Sequence, residues 1–369
     1  MLYLQLKIAL RNLWRYRLHT GINILGLAIG ICACFVIIQL VRFDYNFDEF
    51  HTNKDRIYRL YSSFSGEYTG VNPGVPTGLP TAIENNIVGI EQVAPLHYLG
   101  RSRVEIINKN TAPTVFHDER GIAVTSPAYF DIFTDYKWLH GSPATALSSP
   151  YQVVLSEQRA QRYFGTTELS EIIGREVIYR DSLHMTVSGI VANFTENSDL
   201  IFEDFISLAT AEASWLGKDL RLNDWVNTSS NAQTYVLLAE NTTIQRTLPI
   251  IQKIYDKNRE QKESSYESKI NLQPLHDLHF NGKLGVYNNN RTASKTTLFA
   301  LLSIALILLV IAGINFVNLA TAQAMQRSKE VGVRKVLGGT RGSLVRQFLG
   351  ETFILTTCAT LLALLLGSV

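Results

Sequence analysis

Two long, uninterrupted apolar runs stand out in a chain that otherwise alternates short apolar and polar stretches. Residues 21–41 and residues 298–320 contain no Asp, Glu, Lys or Arg. Because about 20 residues of α-helix cross the hydrocarbon core of a bilayer, both runs predict transmembrane helices. A third apolar run, residues 353–369, ends with the chain and predicts a third transmembrane helix that is short or incomplete.

The region between the first two runs shows two kinds of period, which is typical of an α+β domain. Alternating β-branched and aromatic residues predict strands at residues 151–157, 184–194 and 233–240. Helical spacing predicts helices at residues 156–164 and 243–259, the first capped by Ser156.

Charge predicts the orientation of these helices, because cytoplasmic flanks carry an excess of Lys and Arg. Four basic residues and no acidic residue precede Gly21, and six basic residues against two acidic residues follow Ala320. Both flanks are therefore predicted to be cytoplasmic and residues 42–297 extracytoplasmic. The predicted fold class is an α-helical membrane protein with a large inserted α+β extracytoplasmic domain.

Residues 1–20 combine an apolar stripe with basic residues, which predicts an amphipathic interfacial helix on the lipid bilayer. A merely basic flank to the first span is the alternative. The three cysteines, Cys32, Cys34 and Cys358, all fall within apolar runs, so the inserted domain is expected to fold without disulfides.

The segment from residue 321 to residue 352 is basic and interrupted by glycines. Val333, Val336 and Leu337 recur at helical spacing, and two glycines then favour a helix stop. The pattern predicts a short cytoplasmic helix-turn-helix that either docks a soluble partner or lies on the membrane. The chain contains no G-x-x-x-x-G-K-[ST] loop, so no ATP-binding motif is recognised.

The stretch "SKEVGVRKVLGGTRGSLVRQFLGE" closely resembles the cytoplasmic signature of MacB/FtsX-like permeases, the membrane subunits of type VII ABC systems. The positions that match the family pattern are Glu330, Gly332, Arg334, Lys335, Leu337 and Gly338, while Gly339 replaces the commoner Ala. The stretches "LKIALRNLWRYRLHTGINILGLAIGI" and "VVLSEQRAQRYFG" resemble the first span and the MacB-like periplasmic core domain of the same family.

The resemblance implies the permease subunit of an ABC transporter in the cytoplasmic (inner) membrane of a bacterium. A partner, a cytoplasmic ABC ATPase dimer, would bind ATP and Mg, and the chain itself would need no cofactor, metal or catalytic residue. The implied divisions are residues 1–20, 21–41, 42–297, 298–320, 321–352 and 353–369. The implied ATPase-coupling residues are Glu330, Gly332, Val333, Arg334, Lys335, Val336, Leu337, Gly338 and Gly339.

The resemblance leaves the cargo open between an antibiotic, a peptide, a lipid and a lipoprotein. One alternative is mechanotransmission without transport, in which the chain controls an outer partner such as a cell-wall hydrolase. Another is a membrane-anchored extracytoplasmic enzyme or sensor. The chain looks like the first part of a longer protein, and the resemblance leaves open whether it works as a homodimer or with a second permease repeat. A periplasmic adaptor or another outer partner is also expected.

Four residues in the first two spans are predicted to pack helices. Gly26 and Gly30 form a G-x-x-x-G pattern that permits close helix approach. Asn315 and Asn318 lie about one turn apart, and such amides usually bond a neighbouring helix, a role favoured here over a substrate path.

Other chemistry is less supported. His276 and His279 form an H-x-x-H without a convincing third metal ligand. The acidic residues Asp44, Asp48 and Glu49 are predicted to be a solvated face. Basic clusters occur only beside membrane spans, which disfavours nucleic-acid binding.

Overall fold

A computed structural model describes residues 11, 14, 17–86, 89–108, 112–259, 266–285, 291–326, 328, 332–333, 336 and 340–367. It divides the chain into two compact units. The membrane unit comprises Met1–Tyr45 and Lys295–Val369, and the inserted domain comprises Asn46–Ser294. The predicted interfacial helix falls mainly outside the described residues.

The described helices are α1 Arg17–Tyr45, α2 Leu79–Asn86, α3 Ala128–Ile132, α4 Glu157–Phe164, α5 Leu208–Ala213, α6 Leu216–Asp219, α7 Ile244–Asn258, α8 Lys295–Gln326 and α9 Arg341–Gly367. Three of them, α1, α8 and α9, are long and apolar enough to cross a membrane, which confirms the predicted number of spans. Helix α9 begins twelve residues before the predicted third span, because the basic segment before Phe353 continues into it without a break.

The described strands are β1 Ile57–Gly66, β2 Gly70–Asn72, β3 Ile90–Tyr98, β4 Ser102–Ile106, β5 Thr114–Glu119, β6 Ile122–Thr125, β7 Trp138–His140, β8 Gln152–Ser156, β9 Glu176–Tyr179, β10 Leu183–Val191, β11 Asp204–Ser207, β12 Ala232–Leu238 and β13 Tyr266–Pro274. They form one sheet in the order β13-β1-β12-β3-β6-β11-β8-β10-β9-β4-β5, with β2 on β1 and β7 on β10. Most neighbours are antiparallel, and the pairs β8/β10 and β6/β11 are parallel.

The predicted elements of the inserted domain are confirmed at β8, β10, β12, α4 and α7. Ser156 caps α4 as predicted, since its side chain accepts a hydrogen bond from the Arg159 backbone N–H at 3.2 Å. Gly165 ends the same helix at φ +63°, a left-handed conformation that favours glycine.

The sheet carries a separate core at each end. In the first lobe, β13, β1, β12 and β3 pack with α2 and α7 around Leu60, Ile83 and Ile251. In the second lobe, β6 and the strands beyond it pack with α4 to α6 around Val153, Ile190 and Ala211. A third, aromatic core lies under α3 and takes residues from both lobes. The strands thus join two lobes that have different cores.

The second lobe holds a buried charge network on α4. The Arg159 side chain forms ion pairs with Glu119, Glu203 and Asp204, and its Nε lies 2.7 Å from Asp204 Oδ1. Tyr163 donates to Asp204 Oδ2 at 2.9 Å, as does Tyr179 at 2.7 Å. Buried charges are tolerated in a core when they are paired and hydrogen-bonded in this way.

Candidate functional site

Small residues on α1 allow α8 to approach it closely. A Cβ built on Gly26 would lie 3.2 Å from Asn315 Nδ2, and a Cβ on Gly30 would lie 2.5 Å from the Cβ of Ala312. One turn further on, the Cys34 thiol donates to the Ala305 carbonyl oxygen at 2.9 Å. The G-x-x-x-G pattern therefore lies at the contact between α1 and α8.

Helix α9 packs on another part of α1, again through small residues. Ala28, Ala359 and Ala363 are fully buried together. Near the end of α9, a Cβ on Gly367 would lie 2.7 Å from the Phe35 ring. Helix α1 is thus the central helix of the membrane unit.

The amides of the membrane unit differ in burial, and the helix-packing role of Asn315 and Asn318 stays a prediction, with Asn315 lying beside Gly26 of α1. Asn315 and Asn318 are both exposed in the described chain, whereas Asn23 of α1 is buried. Neither amide atom of Asn23 has a hydrogen-bond partner among the described residues. An unpaired amide costs free energy in an apolar environment, so Asn23 is a polar residue of α1 whose burial sequence reasoning missed.

Only part of the predicted coupling segment can be described. Gly332, Val333 and Val336 are helical, and the two valines are 60% and 88% exposed. The remaining predicted coupling residues, Glu330, Arg334, Lys335, Leu337, Gly338 and Gly339, lie outside the described residues.

The inserted domain receives the chain from α1 at a buried polar cluster. This junction cluster consists of Phe47, Asp48, His51, Asp135, Ser198, Asp199 and His279. Its members come from the segment just after α1, the turn after α3, the loop before β11 and the turn after β13. The cluster therefore joins both segments of the domain that lead to membrane helices.

Asp48 lies at the centre of the junction cluster. Its carboxylate accepts hydrogen bonds from the Ser198 hydroxyl and, at 3.3 Å, from the Asp199 backbone N–H. The Asp199 carboxylate in turn lies 3.0 Å from Nδ1 of His279. The His279 ring stacks on Phe47, with ring centroids 3.7 Å apart.

The prediction that Asp44, Asp48 and Glu49 form a solvated acidic face is wrong for two of the three residues. Asp48 is almost fully buried, as is Asp44 at the end of α1, while Glu49 remains exposed and pairs with Lys54. Acidic residues that cluster in sequence are usually exposed to water, but tertiary contacts can bury individual members of such a cluster. Here the loop around Ser198 covers Asp48.

Burial shifts the pKa of two residues of the junction cluster in opposite senses. It raises the pKa of Asp48 to about 7, an effect that the Ser198 hydrogen bond opposes and the nearby Asp199 carboxylate increases. Burial lowers the pKa of His51, against the effect of its hydrogen bond with Asp135. The Asp48 carboxyl therefore titrates near neutral pH.

A second buried contact ties the segment before α8 to the sheet. Arg59 of β1 is fully buried, and its guanidinium donates to the Gly285 carbonyl oxygen at 3.2 Å. It also donates to the side-chain oxygens of Gln273 and Gln233, at 2.6 and 3.1 Å. One side chain thus connects β1, β12, β13 and the turn that precedes the second span.

The described residues contain no group of three or more His, Cys, Asp or Glu that could hold a metal ion. The two histidines of the H-x-x-H motif, His276 and His279, differ in burial. His276 is exposed, and His279 is buried against Asp199.

Three apolar helices and one large inserted mixed domain define a multi-span membrane protein with an extramembrane body. The MacB-like periplasmic core domain model matches residues 20–254, and the FtsX-like permease C-terminal model matches residues 302–369. The chain belongs to this MacB/FtsX-like family of ABC transporter permeases, which are proteins of the inner membrane.

Two curated relatives match almost the whole chain. One is the macrolide export ATP-binding/permease protein MacB of Bdellovibrio bacteriovorus, 23% identical over 95% of this chain and 51% of the relative. The other is the pyoverdine export ATP-binding/permease protein PvdT of Pseudomonas syringae, 21% identical over 98% of this chain and 51% of the relative. The chain spans about half the length of these relatives.

Among solved structures, a domain of a candidate permease protein from Porphyromonas gingivalis is similar in fold. It covers 68% of this chain and 98% of its own, with a TM-score of 0.50 and 16% sequence identity. This similarity concerns the fold alone.

Proposed function

We propose that this chain is the membrane subunit that couples ATP hydrolysis by a cytoplasmic ABC ATPase to movement of its inserted domain during export. The chain itself binds no nucleotide in this proposal. The ATPase docks on the segment between α8 and α9, and the inserted domain lies on the extracytoplasmic side.

The observation that carries this proposal is the exposure of Val333 and Val336 between two membrane helices. Both valines lie on a helical segment, three residues apart, so they share one face. Apolar surface left in water costs roughly 25 cal/mol per Å², which favours covering it with a partner. The basic residues around them predict that this partner is cytoplasmic.

The junction cluster supports the second half of the proposal, transmission of movement to the inserted domain. Asp48 follows α1 by three residues, and His279 precedes α8 by sixteen. Through Ser198 and Asp199 the two segments are held in one buried network. Within the inserted domain, this network anchors the two segments that lead to α1 and α8, which is the property that transmission of movement would require.

The cargo is a separate part of the proposal. The named relatives export a macrolide in one case and pyoverdine in the other, and we propose export of an antibiotic, peptide, lipid or lipoprotein for this chain. Movement of the inserted domain without any cargo, acting on an outer partner such as a wall hydrolase, is the competing outcome.

Copurification tests the ATPase contact. The full-length protein is purified in detergent together with the ABC ATPase of its own cell, and wild type is compared with a Val333→Asp, Val336→Asp double variant. We expect the double variant to insert normally and to lose the ATPase, because two buried carboxylates would be desolvated at the contact. Ile173→Asp, an exposed apolar position of the inserted domain, is the matched control and should retain the ATPase.

Retention of the ATPase by the double variant at the wild-type level would refute docking at this segment. If wild type retains the ATPase, reconstituted vesicles then separate export from mechanotransmission. Accumulation of a macrolide or a peptide on the side of the inserted domain, dependent on ATP, supports export. ATP-dependent change in the inserted domain with no accumulation supports mechanotransmission.

A further inference from the structure

A polar cavity of about 400 Å³ lies in the inserted domain where the two lobes meet. The end of β3 contributes His97, and the β9–β10 turn contributes Arg180. The end of α6 and the segment after it contribute Asp219, Arg221, Asp224 and Asn227. Its volume is in the range of small-molecule sites in proteins. Nothing in the proposed transport cycle uses it.

His97 is the buried polar group of this cavity. It is 4% exposed and pairs across strands with Ala232, another lining residue. Its ring has no hydrogen-bond partner among the described residues. Burial lowers the pKa of His97 to about 4, so the ring is neutral at pH 7 and offers one donor and one acceptor.

The Arg180 guanidinium is oriented by hydrogen bonds to the protein and keeps further N–H donors for a ligand. It donates to the Leu99 carbonyl oxygen at 2.6 Å, to Asp219 at 2.9 Å and to Ser102 at 3.4 Å. A guanidinium has five N–H donors, so these three bonds leave two.

The backbone at Arg180 adopts an unusual conformation. Its φ is +49°, in the three-residue connection between β9 and β10, where the next residue, Asp181, also has a positive φ. A non-glycine residue in the left-handed region costs free energy, and such residues cluster at functional sites.

Arg221 supplies a second, more exposed guanidinium to the lining of the cavity. It is exposed, forms no ion pair among the described residues, and also has a left-handed φ, of +50°. Asp224 interacts with Arg221 electrostatically without a close ion pair, and its carboxylate accepts hydrogen bonds from Asn227 and from the Val226 backbone N–H. Asp219 is likewise engaged by Arg180.

We propose that this cavity binds a small polar ligand that carries one oxyanion group, a carboxylate or a phosphate. The oxyanion contacts the guanidinium groups of Arg221 and Arg180, and a second polar group of the ligand hydrogen-bonds His97. Residues from both lobes line the cavity, so the bound ligand contacts both of them. The site is independent of the ATPase contact.

Ligand binding is measured by isothermal titration of the full-length chain in detergent with three probes. Inorganic phosphate and N-acetyl-trialanine carry the two kinds of oxyanion, and the C-terminal amide of the same peptide carries none. We expect either phosphate or the free-acid peptide to bind. If the free-acid peptide binds, its C-terminal amide should bind at least about tenfold more weakly. The preferred probe identifies the oxyanion as phosphate or carboxylate.

Three variants assign this binding to the cavity. Arg221→Gln removes the exposed positive charge and should raise the Kd at least about tenfold. Arg221→Glu reverses that charge and should abolish binding. His97→Leu should weaken it about fivefold or more through the lost hydrogen bond. Arg246→Gln, an exposed arginine on α7, should leave the Kd unchanged.

Absence of binding by either oxyanion probe at about 10 mM would overturn the proposal, since such an affinity is below that of a specific site. Equal affinities of wild type and both Arg221 variants would overturn it too. A thermal unfolding scan of each variant, followed through tryptophan fluorescence, checks that the variants fold. The ATPase copurification can succeed or fail regardless of either result.

Discussion

Gly30 of α1 and Ala312 of α8 touch so closely that a Cβ on Gly30 would lie 2.5 Å from the Ala312 Cβ. No real pair of Cβ atoms approaches to this distance, so the contact depends on glycine at this position. Membrane helices gain stability from such close backbone approach, because lipid provides no hydrophobic force between them.

We therefore expect Gly30→Ala to push α1 and α8 apart. Forcing extra atoms into a packed contact typically costs about 1–3 kcal/mol. The free energy of unfolding in mixed micelles, measured against the mole fraction of dodecyl sulfate, is the readout. Gly313→Ala is the matched control, since a Cβ there meets nothing within 4 Å. Equal stability of the two variants would contradict the close packing.

Removal of Arg159 should strongly destabilise the second lobe. Arg159→Met leaves Glu119 and Asp204 buried without their common cation, and breaking a buried ion pair costs about 3–5 kcal/mol. Arg162→Met is the matched control, since Arg162 also pairs with Glu119 but its side chain is 55% exposed. Exposed pairs contribute about 0–1 kcal/mol. Thermal unfolding of the full-length chain compares the two, and similar losses would argue against a buried network.

Titration of Asp48 should make stability fall as the pH rises. The pKa of Asp48 is about 7 in the folded state and ordinarily 3.8, so the folded state binds the proton more tightly between these values. Its contribution to stability is therefore present at low pH and lost as the pH approaches 7. Three pKa units correspond to roughly 4 kcal/mol as an upper bound.

Asp48→Asn isolates this contribution from those of the facing groups His51, Asp199 and His279. Asp48 has a φ of +57°, which asparagine tolerates, so the backbone should be retained. The difference in melting temperature between the variant and wild type should shift in favour of the variant from pH 4 to pH 8. A difference that does not change with pH would show that Asp48 stays ionised.

Loss of the His279 ring should loosen the junction cluster. His279→Leu leaves the buried Asp199 carboxylate without its 3.0 Å partner and removes the stacking on Phe47. We expect a destabilisation of about 3–5 kcal/mol and faster hydrogen exchange in residues 46–51. His276→Leu, three residues away and exposed, should stay within about 0.5 kcal/mol of wild type. Unchanged exchange in His279→Leu would remove the cluster from the proposed transmission route.

The sequence predicted correctly those features that depend on residues close together in the chain. The strand at β8, the cap of α4 by Ser156 and the close approach at Gly26 and Gly30 all follow from spacing within a few residues. The family resemblance likewise rests on contiguous motifs, and the family matches bear it out. The roles assigned to the coupling residues stay predictions.

Local sequence patterns predicted that Asp48 is solvated, whereas it is buried, and they did not indicate the ion pairs of Arg159. Asp48 is covered by a loop some 150 residues away in the chain, and Arg159 pairs with Glu119 forty residues earlier. No periodicity within a helix or strand reports such a contact. The arginine could only have been suspected from its place beside the apolar positions of an amphipathic helix.

The sequence by itself determined the three spans, the inserted mixed domain and the family, because apolar length, side-chain period and motif order are properties of neighbouring residues. Only the tertiary structure decided which polar groups are buried, that Asp48 and His279 join the two connections to the membrane helices, and that His97, Arg180 and Arg221 face one cavity. Burial and pairing depend on segments far apart in the chain, so they are set when the sheet brings its two lobes together.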